Sequence, residues 1–233
     1  MTQKTAEMRL ADRRRLRKTL IERRLALPDA DCVRHSARIC TLLREHFPQL
    51  AGMRVAFCWP VNKEPDLRPL LAAWAAEQSG ADAPDGREGG ASAANGANEG
   101  NGENGFCALL PVVVAENAPL AFRAWTPRTP LVADRYGIPT PAAGAFVQPT
   151  ALLLPVNAFD AAGYRIGYGG GYFDRTLAAL TAGPGPAPLA IGVGYELARV
   201  ATIHPEPHDL PLAAVVTEAG VFRTPAPPAS PRC

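Results

Sequence analysis

The chain has 233 residues, of which 47% are apolar and 20% charged, with a formal charge of +2. That length suits one sizeable core, the composition is that of an ordinary folded chain, and so small a net charge argues against a nucleic-acid partner. No run approaches the roughly 18 apolar residues needed to span a bilayer, so no membrane partner is expected.

Residues 1–15 contain no apolar segment of the secretory kind, and Glu7 and Asp12 argue against an imported Arg-rich leader. They read as the start of the folded protein. Five cysteines, odd in number and without a CxxC pair, fit a reduced, cytoplasmic setting.

Residues 6–27 read as a helix, with Leu16 and Leu20 one turn apart and arginines on the other faces. Arg13, Arg14, Arg15, Arg17, Lys18, Arg23 and Arg24 crowd into it, and Pro28 ends it. Val33, Ala37, Cys40, Leu43 and Phe47 then mark a second helix running to about His46. The apolar run 53–59 suits a buried strand, and Leu67, Leu70, Leu71 and Trp74 a third helix.

Residues 80–105, a Gly, Ala and Asn mixture without a large apolar side chain, are expected to be a disordered insertion. Strands follow at 107–114, 120–125, 151–156, 189–195 and 213–217, with a helix at 172–180. The expected organisation is one domain over 1–222, interrupted by that insertion, and a flexible tail over 223–233. Short, almost wholly apolar strands alternating with helices predict an α/β fold, a mostly parallel sheet covered on both faces, with its ligand beyond the carboxyl ends of the strands.

One such end leads into Arg165-Ile166-Gly167-Tyr168-Gly169-Gly170-Gly171-Tyr172-Phe173-Asp174. The glycines allow positive φ and bare amides, so the loop is either a hinge or a phosphate cradle at a helix start. It matches neither the P-loop nor the Rossmann pattern. His204 and His208 have zinc-pair spacing, but Pro205 and Pro207 forbid the helix that would align them. Trp59, Trp74 and Cys58 read as core.

The segment Leu152–Leu177, LLLPVNAFDAAGYRIGYGGGYFDRTL, resembles the strand, Phe-Asp turn and glycine loop of the 5-formyltetrahydrofolate cyclo-ligase family. Leu16-Arg17, Glu64, Tyr136-Gly137-Ile138-Pro139 and residues 206–218 extend the likeness, which is collinear over about residues 8–220. The resemblance implies a fold of the ribose-phosphate isomerase and CoA-transferase type. It also implies conversion of 5-formyltetrahydrofolate and ATP, with Mg²⁺, to 5,10-methenyltetrahydrofolate, ADP and phosphate, by a monomer. It places Gly167, Tyr168, Gly169, Gly170 and Gly171 around the ATP phosphates, with Arg165 adding charge and Arg13 and Arg17 reaching the nucleotide. Asp174 and Asp209 match metal positions, Arg165 and Asp174 serve catalysis, and Glu64 and Tyr172 face the folate.

Three residues depart from the family pattern: Arg13 stands for a lysine, Phe173 for a second tyrosine and Ala213 for an aspartate. The competing readings are a catalytically silent relative that binds reduced folate or RNA, and an isomerase or transferase of the same fold.

Overall fold

The computed structural model describes residues 3–81, 105–206 and 209–224. Most of the expected insertion, residues 82–104, and most of the expected tail, residues 225–233, lie outside these. Four helices, α1 (Gln3–Leu25), α2 (Asp29–His46), α3 (Arg68–Ala81) and α4 (Tyr172–Thr181), accompany eleven strands among the described residues. Seven of these form the main sheet: β1 (Arg54–Ala56), β2 (Cys107–Val112), β3 (Ala121–Ala124), β6 (Ala151–Pro155), β9 (Leu189–Val193), β10 (Ala214–Thr217) and β11 (Gly220–Arg223). The order is β11-β10-β9-β6-β1-β2-β3, with parallel central pairs and antiparallel edges at β2–β3 and β10–β11. Two small hairpins stand apart, β4 (Leu131–Ala133) with β5 (Pro139–Pro141), and β7 (Ala158–Phe159) with β8 (Arg165–Ile166).

Strand residues divide between the two faces with period two. Leu153, Ala108, Leu110, Ala214 and Val216 join Ile39 and Leu43 of α2 and Leu71 and Trp74 of α3. Leu152, Leu154, Leu109 and Val215 join Leu177 of α4 on the other side. Both faces are therefore covered, which is why these strands read as unbroken apolar runs. Full burial of one such leucine contributes about 1.5–3 kcal/mol.

Several elements are shorter or longer than their sequence suggested. β1 covers only three residues of the run 53–59, because the Met53 amide closes a 3-10 turn onto the Leu50 carbonyl. Beyond Ala56 only the Phe57 amide still bonds to β2, at the Leu109 carbonyl, and Pro60 follows. α3 runs on through residues 80 and 81, the first of the segment read as insertion, and β11 takes in Arg223 at the start of the segment read as tail.

α1 belongs to neither face. It lies across the carboxyl ends of the strands, where Leu20 packs with Ala158 of β7, Ile166 of β8 and Ile203. The turn between β7 and β8 is fastened by the far end of the chain. Gly163 adopts φ +84°, its carbonyl takes the Leu212 amide, and a Cβ on it would come within 2.2 Å of the Thr224 methyl. The Thr224 hydroxyl donates to the Leu212 carbonyl and completes the clasp.

Candidate active site at the carboxyl ends of the strands

The chain leaves β6 through Asn157, turns back through the β7–β8 hairpin, and enters α4 by way of Gly167–Gly171. Gly169 (φ +97°) and Gly171 (φ +65°) hold left-handed conformations that other residues rarely take. Gly171 is the N-cap of α4 and offers no side chain to its first amides. Those amides and the positive end of the helix point into the same space.

Cations gather on this loop. Arg17 Nε donates to the Gly167 carbonyl at 2.7 Å, and its guanidinium lies 3.1–3.3 Å from where a Cβ on Gly169 would stand. Burial, together with Arg13 and Arg14, pulls the Arg17 pKa below its ordinary value. Among the described residues Arg17 pairs with no carboxylate. Arg175, which sequence reasoning did not single out, donates to the Gly170 carbonyl at 2.6 Å. Local excess of positive charge with half-buried cations and bare amides is the electrostatic complement of a polyanion.

The acids on this side are already engaged. Arg165, almost fully buried, donates from Nη2 to Asp174 Oδ1 at 2.8 Å and reaches the Leu210 carbonyl at 3.5 Å. Asp174 Oδ2 takes no hydrogen bond from the described residues. Asp209 accepts Arg13 Nη1 and the Glu206 amide on Oδ2, at 2.7 and 2.8 Å. No three His, Cys, Asp or Glu side chains among the described residues gather into a metal cage. The donor set instead fits a hard cation held by one open carboxylate oxygen, that of Asp174, and by ligand phosphates.

A second group of side chains lies beside Glu64, in the loop between β1 and α3. Glu64 is 7% exposed, and burial raises its pKa against the opposing pull of Tyr168, Arg24 and the Val61 amide. Tyr168 donates its hydroxyl proton to Glu64 Oε1 at 2.7 Å, and the Val61 amide donates to Oε2 at 3.1 Å. The Tyr168 hydroxyl in turn accepts Arg24 Nη2 at 2.8 Å. Burial and Glu64 raise the Tyr168 pKa, so it stays a phenol. Its backbone lies in the expected phosphate loop while its hydroxyl serves Glu64, and the residue thus links the two groups.

Arg24 completes the cluster by donating Nε to the Asn62 carbonyl and Nη1 to Asn157 Oδ1, at 2.8 and 2.9 Å. Glu64 also borders a cavity of about 20 Å³ with Cys58, Pro65 and Pro155, room for one water. Tyr172, at the start of α4, shares a 2.8 Å hydrogen bond between hydroxyls with Tyr136 of the β4–β5 turn, ring edge to ring face.

The structure therefore brings Arg17 and Gly167–Gly171 together, and Arg165 with Asp174. Arg13 pairs with Asp209, Glu64 with Tyr168, and Tyr172 with Tyr136. Sequence reasoning missed Arg24, Asn157, Asn62 and Arg175. For Arg24 a signal existed in its seven-residue offset from Arg17, two helical turns on the same face. Asn157 gave none beyond being polar at the end of an apolar strand.

A sequence model of the 5-formyltetrahydrofolate cyclo-ligase family matches residues 101–218. The chain is similar to the 5-formyltetrahydrofolate cyclo-ligases of Haemophilus influenzae (31% identity, 40% of this chain and 51% of that one) and Escherichia coli K12 (33%, 44% and 58%). It is similar also to that of Mycolicibacterium smegmatis (34%, 49% and 61%). These matches span 51–61% of the relatives' own length. The fold is that of 5,10-methenyltetrahydrofolate synthetase from Aquifex aeolicus, with a TM-score of 0.69 at 23% identity over 94% of this chain and 96% of that one. The corresponding protein of Mycoplasma pneumoniae gives 0.62 at 18% over 89% and 99%. The chain belongs to the 5-formyltetrahydrofolate cyclo-ligase family.

Proposed function

We propose that this protein catalyses the ATP-dependent cyclisation of 5-formyltetrahydrofolate to 5,10-methenyltetrahydrofolate, releasing ADP and phosphate. The observation that carries the reading is Arg17, half-buried and without a carboxylate partner among the described residues, set against the glycine loop at the uncapped start of α4. A fold has no reason to crowd cations against bare amides unless an anion completes the site.

In this reading the triphosphate lies on Gly167–Gly171, with Arg17 and Arg13 on its oxygens. Asp174 would hold Mg²⁺ through its open oxygen, and the ion would supply charge neutralisation at the phosphates. Arg165 keeps Asp174 aimed, while Asp209 holds Arg13 in place. The folate lies on the side of Glu64, Tyr168 and Tyr172. The γ-phosphoryl group passes to the formyl oxygen, N10 attacks the activated carbon, and phosphate leaves. No protein nucleophile is required, and positioning and electrostatics carry the rate. Cys58 fits this absence, since desolvation pushes its thiol well above the ordinary range.

The test is to mix the purified protein with 5-formyltetrahydrofolate and Mg-ATP and follow the absorbance of the methenyl product. Product formed only when both substrates and magnesium are present supports the proposal, and its absence across pH and metal conditions refutes it.

A further inference from the structure

The Arg24 cluster is unusual in how much it joins. One guanidinium, on a residue 4% exposed in the last turn of α1, donates to the β1–α3 loop at Asn62, to the end of β6 at Asn157, and to the glycine loop at Tyr168. These three segments carry or flank Glu64. A buried arginine with so many donors placed is costly unless the arrangement it enforces is used. The phenol of Tyr168 has a single proton. Because Arg24 Nη2 occupies its acceptor side, that proton is directed to Glu64 Oε1.

Arg24 Nη2 is also 3.8 Å from Glu64 Oε1, the ion pair that offsets the buried carboxylate. Asn157 must present Oδ1 to Arg24, which leaves its buried Nδ2 with no acceptor among the described residues. An unsatisfied donor at this depth is held where a ligand or water oxygen can take it.

We infer that Arg24 is a positioning residue of the folate side of the site, fixing Tyr168 and Glu64 through one fork of hydrogen bonds anchored on Asn157. The inference rests on the cyclo-ligase reading for the identity of the ligand. It assigns α1 two duties along its length, with Arg13 and Arg17 serving the nucleotide and Arg24, two turns further on from Arg17, the folate. Arg24 itself touches neither substrate.

Three titratable groups face Glu64: Arg24 from α1, Tyr168 from the glycine loop and Cys58 from the loop that follows β1. Only Arg24 brings a positive charge. Burial already raises Glu64, so loss of the guanidinium moves its protonation to still higher pH.

The experiment compares the wild type with Arg24→Lys, Arg24→Gln, Tyr168→Phe and the double variant Arg24→Lys/Tyr168→Phe. It measures separate dissociation constants for 5-formyltetrahydrofolate and ATP, and the Glu64 carboxyl titration by ¹³C NMR, with Glu64→Gln identifying the signal. Arg24→Lys and Tyr168→Phe are each expected to weaken folate binding by about 10- to 150-fold, the span of one lost hydrogen bond to a charged group, with ATP binding within about twofold. The double variant should be no worse than the poorer single one, since both act as one unit. Arg24→Gln should shift the Glu64 titration and the acid limb of folate binding upward, and Arg24→Lys should restore most of that shift.

Equal losses for both ligands, additive effects, or an unmoved Glu64 titration would overturn the inference. If Arg24→Gln does not fold, the lysine and phenylalanine variants decide. A wild type that binds folate but forms no methenyl product would refute the cyclo-ligase reading alone, and the binding constants and titration would still decide the role of Arg24.

Discussion

Replacing Arg17 by alanine separates the cost of an empty phosphate site from its use. In the free protein Arg17 contributes one hydrogen bond to the Gly167 carbonyl, and burial and its arginine neighbours both disfavour its charge. Removing it relieves that crowding, so the unliganded Tm should barely fall. With nucleotide bound the sign reverses. A hydrogen bond to a charged group is worth about 1.5–3 kcal/mol, which corresponds to an ATP affinity weaker by about 10- to 150-fold.

At ATP concentrations near 100 times the wild-type Kd, binding stabilises the fold by about 2.7 kcal/mol, and a 100-fold weaker variant retains about 0.4 kcal/mol. For a chain of this size that is a thermal shift of about 5–11 °C falling to about 1–2 °C. The assay is differential scanning fluorimetry with and without Mg-ATP, beside KM values for both substrates. An intact ATP-dependent shift, or equal increases in both KM values, would show that Arg17 does not meet the nucleotide.

Asp174→Asn keeps the side-chain shape and removes the charge that would hold magnesium, so kcat should fall by about 10²- to 10³-fold while folate binding persists. Near-normal turnover across a magnesium titration would contradict this. Glu64 has a raised pKa in the folded state, so its contribution to stability is present below its unfolded pKa and is lost as pH rises through the folded one. The Tm of the wild type relative to Glu64→Gln should accordingly decline from acid pH upward, and a flat difference would remove the burial argument. Gln78 takes the Phe106 amide on Oε1 and donates to the Ala51 carbonyl, pinning the chain on both sides of 82–104. Deleting 82–104 should therefore leave turnover within about threefold, since closure entropy varies slowly with length, and joint loss of folding and activity would show otherwise.

Much of the architecture was legible because buried parallel strands announce themselves as unbroken apolar runs, as in Leu152–Leu154, and because Pro28 and Pro48 punctuate helices. The two-residue strands β7 and β8 were not, being shorter than any periodicity can register. β11 was missed because its burial is only partial and it lacks the apolar character of the central strands. In the site, the glycine loop and its flanking charges were readable as a contiguous segment. The Arg24, Asn157 and Tyr168 contacts join residues 133 and 144 positions apart, and no local pattern encodes such a meeting. Pairings such as Arg13 with Asp209 likewise depend on where α1 is laid, a tertiary outcome rather than a property of either segment.

That last pairing joins residues 196 positions apart, and the clasp of Thr224 on Gly163 closes the same region from the far end. During synthesis the helix bearing Arg13 and Arg17 leaves the ribosome well before the carboxylate that partners Arg13. A nascent chain can thus assemble α2, α3 and the first strands while its cationic helix still has no seat. On the proposed reading, competence to grip a nucleotide would arrive only after these distant contacts form, a slow step for pairings so far apart in sequence. Clipping between β10 and Thr224 should consequently loosen the β7–β8 turn that leads into the glycine loop, without cutting the loop or α1.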